Sequence, residues 1–380
     1  MKSWHAIAAA CCATLLGVGL QRFAYAPLLP AMIHDGWLTP SVGGLLAAAN
    51  FAGYVIGAIL APAVARRYGT ARSLRWSMAL ATACLALCAW RVDPFWALAW
   101  MAPWRTLAGI AGGVLMVLAG PAMQGAVAPH RRGLAGGFMF SGVGGGIVVG
   151  AAIVPALLPF GVADIWLGLA AAGLLLTALS WRWWPDAPPP PRFAAVRLRG
   201  EPRRLIVAYT LAAVAATPHM AWWPDFAARG LGQGTNAGAR AWLVYGLAAM
   251  AGPTICGRMA DRFGSAKALR ATLAAQVAGL LVALLPLAGF PLTFPLQTLS
   301  GIIAGTCAIG TTTLALTRSR EVAPDAPGAI WRIGTIGWGG AQVATGFALA
   351  WLFAQTGSHE ALFALGLAGA IGALAFAKAA

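Results

Sequence analysis

Long apolar runs separated by short clusters of glycine, proline and charged residues fill the chain. Each run approaches the ~20 residues that an α-helix needs to cross a bilayer. The first run ends in Ala24-Tyr25-Ala26, which resembles a signal-peptide cleavage site, but Pro27 opposes cleavage and the run is too long, so it is predicted to be a spanning helix. The pattern predicts an all-α membrane protein with twelve transmembrane helices, near residues 5–33, 41–65, 73–91, 95–118, 133–158, 162–184, 205–227, 240–260, 267–288, 292–316, 328–355 and 360–378.

Composition excludes a soluble catalytic domain. Apolar residues make up 60% of the 380 residues and charged residues only 9%, against roughly 25% charged residues in ordinary globular chains. Twelve spans take about 240 residues and leave only short loops. The sequence has neither the Gly-x-Ser-Gly pattern of rhomboid-like proteases nor a His-Glu-x-x-His zinc helix. We therefore expect no enzyme, no metal site and no cofactor, and we expect the six cysteines, all inside apolar runs, to be small packing residues.

The net charge of +16 is distributed in a way that indicates membrane orientation. A nucleic-acid-binding protein would carry its cations on a soluble surface, whereas here they border the apolar runs, so no nucleic acid partner is expected. With both termini in the cytoplasm, the outward loops hold only Arg91, Arg229 and Arg240, and the spans hold Arg22, Arg105 and Arg332. All other lysines and arginines lie on the inner side. The positive-inside rule therefore predicts that both termini lie in the cytoplasm.

A proline- and arginine-rich segment divides the chain near its middle. Residues 188–191 are four consecutive prolines, and arginines follow them. Such a segment is typical of a stiff linker. The sequence predicts a six-helix half over residues 1–184, a cytoplasmic linker over 185–204, and a second six-helix half over 205–380.

The two halves repeat each other at a nearly fixed offset. A shift of 195 residues carries Gly69 to Gly264 and Gly142 to Gly337, with matching neighbours. A shift of 192 aligns helix 4 with helix 10, where Arg105 meets Gln297. A shift of 197 aligns helix 1 with helix 7, and pairs Arg22, Tyr25 and Pro27 with His219, Trp222 and Pro224. This indicates two parallel repeats of six helices.

These repeats resemble the major facilitator superfamily of membrane transporters. Residues 257–267 (GRMADRFGSAK) match the superfamily signature that follows the second helix of a half. Arg105 followed by Gly109 resembles the helix 4 signature, and residues 21–30 (QRFAYAPLLP) resemble the opening of the bacterial YbfB/YjiJ-type branch. The resemblance covers essentially the whole chain and implies a secondary transporter of the bacterial inner membrane that moves a small molecule by alternating access. We expect it to be a monomer in the lipid bilayer. Arg66 replaces the signature aspartate in the first half.

The resemblance places helices 1, 4, 7 and 10 around a central cavity. Those helices carry the candidate substrate-binding residues Arg22, Tyr25, Arg105, His219, Trp222 and Gln297. A charged side chain within a span costs about 2.5 to 3.5 kcal/mol on insertion scales, which makes Arg22 and Arg105 functional candidates. The alternative is that these polar groups bind backbone carbonyls loosened by nearby prolines.

No aspartate or glutamate lies in the middle of any span. A cavity with arginines and no buried acid favours an anion, because guanidinium pairs with carboxylate or phosphate through two hydrogen bonds. We therefore expect transport of a small organic anion. The alternative is a proton-linked exporter of drug-like or sugar-like compounds. Candidates for coupling are His219, whose side-chain type titrates near neutrality, and Asp225 nearer the outer mouth.

The signature residues Asp261, Arg262, Gly264 and Lys267 are expected to form a cytoplasmic gate, as the resemblance implies. Asp261 is predicted to face the start of helix 11 near Gly328. A helix N-terminus carries about half a positive charge, which attracts a carboxylate and repels a cation. Arg66 is predicted to face the equivalent start of helix 5 near Gly133 and to form no such latch.

Overall fold

The computed structural model describes residues 3–188, 198–286 and 293–378, which form twelve long helices. Helix α1 joins an α segment (Ser3–Thr14), a π segment (Leu15–Phe23) and a second α segment (Tyr25–His34). Helix α7 (Glu201–Asp225) continues as a π segment (Phe226–Gly230). The other helices are α2 (Pro40–Tyr68), α3 (Thr70–Leu87), α4 (Ala97–Gly125), α5 (Arg132–Leu157), α6 (Val162–Ser180), α8 (Thr235–Phe263), α9 (Ser265–Leu284), α10 (Thr293–Val322), α11 (Pro327–Thr356) and α12 (His359–Lys378).

The predicted all-α architecture and the count of twelve helices are confirmed. Nine of the helices in the described part of the chain are long and apolar enough to cross a membrane; α3, α8 and α11 are the exceptions. Helix α4 runs seven residues beyond its predicted end at 118, through Pro121 to Gly125. The predicted end was too early because glycine and proline usually end helices in soluble proteins. Within a span they are tolerated, since neighbouring helices satisfy the freed backbone groups.

The chain forms two compact units. The first comprises Met1–Pro129 and Gly142–Ala194, and the second comprises His130–Ser141 and Ala195–Ala380. Helix α5 contributes to both, because its first residues pack with the second unit. The predicted linker over 185–204 falls partly on residues 189–197, which lie outside the described residues.

Glycines let helices within each unit meet backbone to backbone. In the first unit, a Cβ added to Gly57 would lie 2.1 Å from the carbonyl oxygen of Ile110, and one added to Gly113 would lie 2.2 Å from that of Tyr54. Helices α2 and α4 therefore touch where only glycine fits. The second unit repeats the arrangement between α8 and α10 at Gly252 and Gly305, the positions matched by the shifts of 195 and 192.

Candidate functional site

The first candidate group lies where α1 changes its helical pitch. Over Leu15–Phe23 the backbone is a π-helix, and the amide of Ala24 donates to the carbonyl of Gly19, five residues earlier, at 3.3 Å. Pro27 has no amide hydrogen to donate to the preceding turn, which weakens the α-helical ladder at this point. Such π segments inside α-helices often occur at functional sites. Arg22 lies in this segment.

Arg22 is half-buried against two aromatic rings of α2. Its guanidinium carbon lies 4.1 Å from the centre of the Phe51 ring and 4.7 Å from that of Tyr54. A cation over an aromatic face is stabilised by roughly 0.5 to 2 kcal/mol. The rings hold the arginine while leaving part of its side chain accessible.

Arg105 is buried more deeply, with only 2% of its surface exposed. Its guanidinium carbon lies 4.5 Å from the Tyr25 ring and 5.8 Å from the Trp166 ring. The Tyr25 hydroxyl donates to the carbonyl of Gly43 at 3.0 Å, which fixes the ring in place. The Nε atom of Arg105 makes no hydrogen bond within the described part of the chain. Tyr25 lies three residues after Arg22 on α1, so the first unit holds two arginines beside neighbouring aromatic rings.

His219 and Gln297 are buried in the second unit. Nε2 of His219 lies 3.0 Å from the hydroxyl oxygen of Ser300, and that hydroxyl donates to the carbonyl of Gly279 at 2.8 Å. The Ser300 hydroxyl has one hydrogen, so it accepts from His219, whose Nε2 carries a proton. The imidazole also packs on Trp223, with ring centres 4.6 Å apart. Gln297 lies one turn before Ser300 on α10, and its side-chain oxygen has no hydrogen-bond partner among the described residues.

A third group lies at the end of α7, where Asp225 contacts an arginine and a histidine. One carboxylate oxygen accepts from Nε of Arg229, and the other lies 2.7 Å from Nε2 of His359. The predicted binding residue Trp222 packs on Phe353, with ring centres 4.7 Å apart, near the same histidine.

Sequence reasoning missed His359 and Arg229. Arg229 carried a local signal, since it follows Asp225 at the i+4 spacing of a helical ion pair. His359 is the first residue of α12 and lies 134 positions from Asp225, so only the packing of helices brings the two together.

The signature aspartate caps a helix, although not the helix that was predicted. The carboxylate of Asp261 accepts from the amide of Gly133 at 2.9 Å and from that of Leu134 at 2.8 Å. These amides begin α5, so the prediction that Asp261 faces the start of α11 near Gly328 is wrong. That Arg66 faces the start of α5 stays a prediction.

Two glycines make this cap possible. A Cβ on Gly257 would lie 2.2 Å from the carbonyl oxygen of Gly133, and a Cβ on Gly133 would lie 2.5 Å from Oδ1 of Asp261. The start of α5 therefore packs directly on the backbone of α8. Of the other signature residues, Gly264 follows the last residue of α8 with a φ of +87°, and Arg262 and Lys267 are exposed.

The candidate residues thus form separate groups. The first unit holds one group, formed by Arg22, Arg105 and Tyr25. The second unit holds three: one around Ser300 with His219 and Gln297, one around His359 with Trp222 and Asp225, and the cap of α5 by Asp261. The described residues contain no cluster of three or more histidine, cysteine or acidic side chains that could hold a metal ion.

Known proteins resemble the chain, a curated relative over less than half of it and solved structures over nearly all of it. A Haemophilus influenzae protein described as a metabolite transport protein is 32% identical over 171 residues, which is 44% of this chain and only 40% of that protein. A solved proton:xylose symporter superimposes with a TM-score of 0.77 at 15% identity, over 98% of this chain and 95% of the other. A bacterial homologue of the iron transporter ferroportin, in an outward-facing state, superimposes with a TM-score of 0.75 at 14% identity, over 100% and 99%.

The Escherichia coli fucose:proton symporter also has this fold, with a TM-score of 0.75 at 13% identity, over 100% of this chain and 99% of the other. Residues 14–379 match the family described as uncharacterised MFS-type transporter YbfB. Members of this superfamily are multi-pass membrane transporters and not enzymes. The chain belongs to this YbfB-type family of the major facilitator superfamily.

Proposed function

We propose that this protein is a secondary active transporter that moves a small organic anion across the bacterial inner membrane by alternating access, as a monomer with both termini in the cytoplasm. The anion class is supported by two arginines held beside aromatic rings of the first unit, Arg22 and Arg105, in spans that contain no central acid. Guanidiniums within a span are stabilised when an anion lies beside them.

The two arginines differ in exposure, and we assign them different roles. Arg22 is partly accessible and can contact the anionic group through its guanidinium fork. Arg105 lies behind the Tyr25 ring and supports the site through its charge. The aromatic rings of Phe51, Tyr54 and Tyr25 favour a substrate with an apolar or aromatic part.

The alternative remains a proton-linked exporter of drug-like or sugar-like compounds. Two structural neighbours are proton symporters of the sugars xylose and fucose. The unpaired side-chain oxygen of buried Gln297 is an acceptor that suits a neutral hydroxyl group. Either function can use His219 or Asp225 to couple proton binding to substrate transport.

A thermal-stability screen separates the two functions. Purified protein is heated with benzoate, succinate, inorganic phosphate, D-xylose or tetraphenylphosphonium, each at millimolar concentration. A ligand at 100 times its Kd stabilises the folded state by about 2.7 kcal/mol. We expect at least one anion to raise the melting temperature of the wild type, and Arg22→Ala to abolish that rise.

The control is Arg240→Ala, which removes an exposed arginine and should retain the rise. Stabilisation by D-xylose alone, or by tetraphenylphosphonium alone, would reject the anion class. A rise that persists in Arg22→Ala would remove Arg22 from the site.

A further inference from the structure

An ionisable cluster in the second unit has no role in the anion site described above. It consists of Asp225, Arg229 and His359, and we refer to it as the His359 cluster. Asp225 is the last residue of α7 before the helix adopts π pitch, Arg229 lies in that π segment, and His359 is the first residue of α12. The cluster therefore joins the ends of two helices.

The imidazole of His359 is nine-tenths buried, with 9% of its surface exposed. The ring of Phe353 lies 4.9 Å away, centre to centre, and the ring of Phe226 lies 5.9 Å away. Gly230 closes another side, since a Cβ added there would lie 3.1 Å from Nδ1 of the histidine. The walls are thus aromatic rings and backbone, and Asp225 faces Nε2.

Two charged side chains, Asp225 and Arg229, lie in line from His359 to the surface. Asp225 contacts it directly from α7, and Arg229 contacts the other oxygen of Asp225 from the π segment. Helix α11 presents the apolar ring of Phe353, and Glu360, next to His359 on α12, is exposed. The side chain of Asp225 is 27% exposed and that of Arg229 is 67% exposed, so water reaches the cluster from the Arg229 side.

The two halves differ at the position of Asp225 and at the start of their last helix. Under the shift of 197 residues that aligns helix 1 with helix 7, Asp225 corresponds to Leu28. Val162 begins α6 as His359 begins α12, and both Leu28 and Val162 are buried. The first turn of α6 carries Asp164, which is exposed, whereas His359 at the start of α12 is buried.

We propose that the His359 cluster binds the proton that drives transport, with His359 and Asp225 sharing it. With a neutral imidazole the cluster is uncharged overall, because Asp225 and Arg229 cancel; one bound proton makes it positive. Histidine is the side chain whose protonation ordinarily changes between pH 5 and 8. The added charge tightens the contact between the end of α7 and the start of α12, which links the proton to the position of the π segment. This proposal rests on the proposed transport function, but not on the anion class.

The first test follows the proton without any substrate. The chain has five histidines, so labelling histidine Cε1 with ¹³C gives five resonances in lipid nanodiscs, and His359→Gln identifies one of them. We expect the His359 resonance to move between pH 5 and 8. In Asp225→Asn, where the neighbouring negative charge is lost, we expect proton binding to weaken by about tenfold or more. A His359 resonance that stays fixed over this range would overturn the proposal.

If His359→Gln does not fold, the same resonance is identified by replacing the other four histidines. The matched control is His34→Gln. His34 pairs with Asp35 at 2.9 Å but is 89% exposed, so its loss should leave the behaviour of His359 unchanged.

The second test measures coupling. Proteoliposomes containing the pH dye pyranine, with the voltage clamped by potassium and valinomycin, receive a gradient of succinate or, separately, of D-xylose. We expect proton movement with the wild type and with His34→Gln, and at least a tenfold loss in His359→Gln. No proton movement with either probe, or undiminished movement in His359→Gln, would overturn the coupling role. Movement with D-xylose alone that depends on His359 would support the proton site and reject the anion class.

Discussion

At the scale of single residues, buried polar groups show what a sequence reveals and what it leaves open. Membrane depth and the lack of acids in the spans were enough to single out Arg105, which is indeed buried. Its neighbour Trp166 was not foreseen, because that ring comes from a helix distant in sequence. The repeat shift likewise pointed to His219, but only the structure shows that it bonds to Ser300 and packs on Trp223. The residue type and its depth in the membrane follow from the local sequence, whereas the contact partners of a side chain depend on how the helices pack.

A substitution at Gly109 tests the close approach of α2 and α4. A Cβ at this position would lie 2.1 Å from the backbone carbonyl oxygen of Asn50, which cannot rotate away. We expect Gly109→Ala to destabilise the protein by about 1 to 3 kcal/mol, as overpacked cores do. Thermal unfolding in one detergent provides the measurement.

Gly340 provides the matched control, since a Cβ there meets nothing within 4 Å. Alanine is favoured over glycine in a helix by up to about 1 kcal/mol, so Gly340→Ala should unfold at the same temperature as the wild type or slightly higher. If Gly109→Ala unfolded at the same temperature as Gly340→Ala, the backbone contact between α2 and α4 would not limit stability.

At the scale of helices, the signature segment shows how a motif can be recognised while its partner is misassigned. The sequence indicated that Asp261 binds a helix start, and it does. The choice between α11 and α5 depends on which helix end packs against α8. That choice rests on the glycine contact between Gly257 and Gly133, and many other glycines in the chain offer the same local signal.

The cap makes a prediction about the first turn of α5. In Asp261→Asn, the carboxylate charge at the positive end of the helix is lost, which costs about 0.3 to 1 kcal/mol, or ~2 kcal/mol when the pair is partly buried. The amides of Gly133 and Leu134 should then exchange with deuterium up to about thirtyfold faster. Hydrogen exchange followed by mass spectrometry of peptides covering residues 130–140 measures this directly.

Arg66→Ala serves as the comparison. Because Asp261 binds the start of α5, removing the Arg66 side chain should leave the exchange of Gly133 and Leu134 unchanged. Equal exchange in Asp261→Asn and the wild type would mean that the two hydrogen bonds do not hold the first turn. Slower exchange in Arg66→Ala would show that Arg66 lies at this helix start and repels its positive end.

At the scale of the whole molecule, the internal repeat carried most of the information. Length and apolar pattern predicted twelve helices, and the shifts of 195 and 192 residues predicted which positions are equivalent. The structure supports that equivalence at Gly57 and Gly252, and at Gly113 and Gly305, where matched glycines make matched backbone contacts. The repeat could not predict the His359 cluster, since this is where the halves differ chemically. Equivalence by sequence therefore identifies the shared scaffold, and departures from it mark candidate functional groups.

The orientation of the whole chain in the membrane gives the last prediction. Lysine and arginine are retained on the cytoplasmic side of short loops, and the loops predicted to be outside hold only Arg91, Arg229 and Arg240. Truncated fusions expressed in Escherichia coli report the side of each loop, because alkaline phosphatase is active only outside the cytoplasm and green fluorescent protein, exported unfolded, is fluorescent only inside. We expect phosphatase activity for fusions after Asp93 and Gly161, and fluorescence for fusions after Arg131. The opposite pattern at all three positions would place both termini outside and reverse the assignment of the Asp261 cap to the cytoplasmic face.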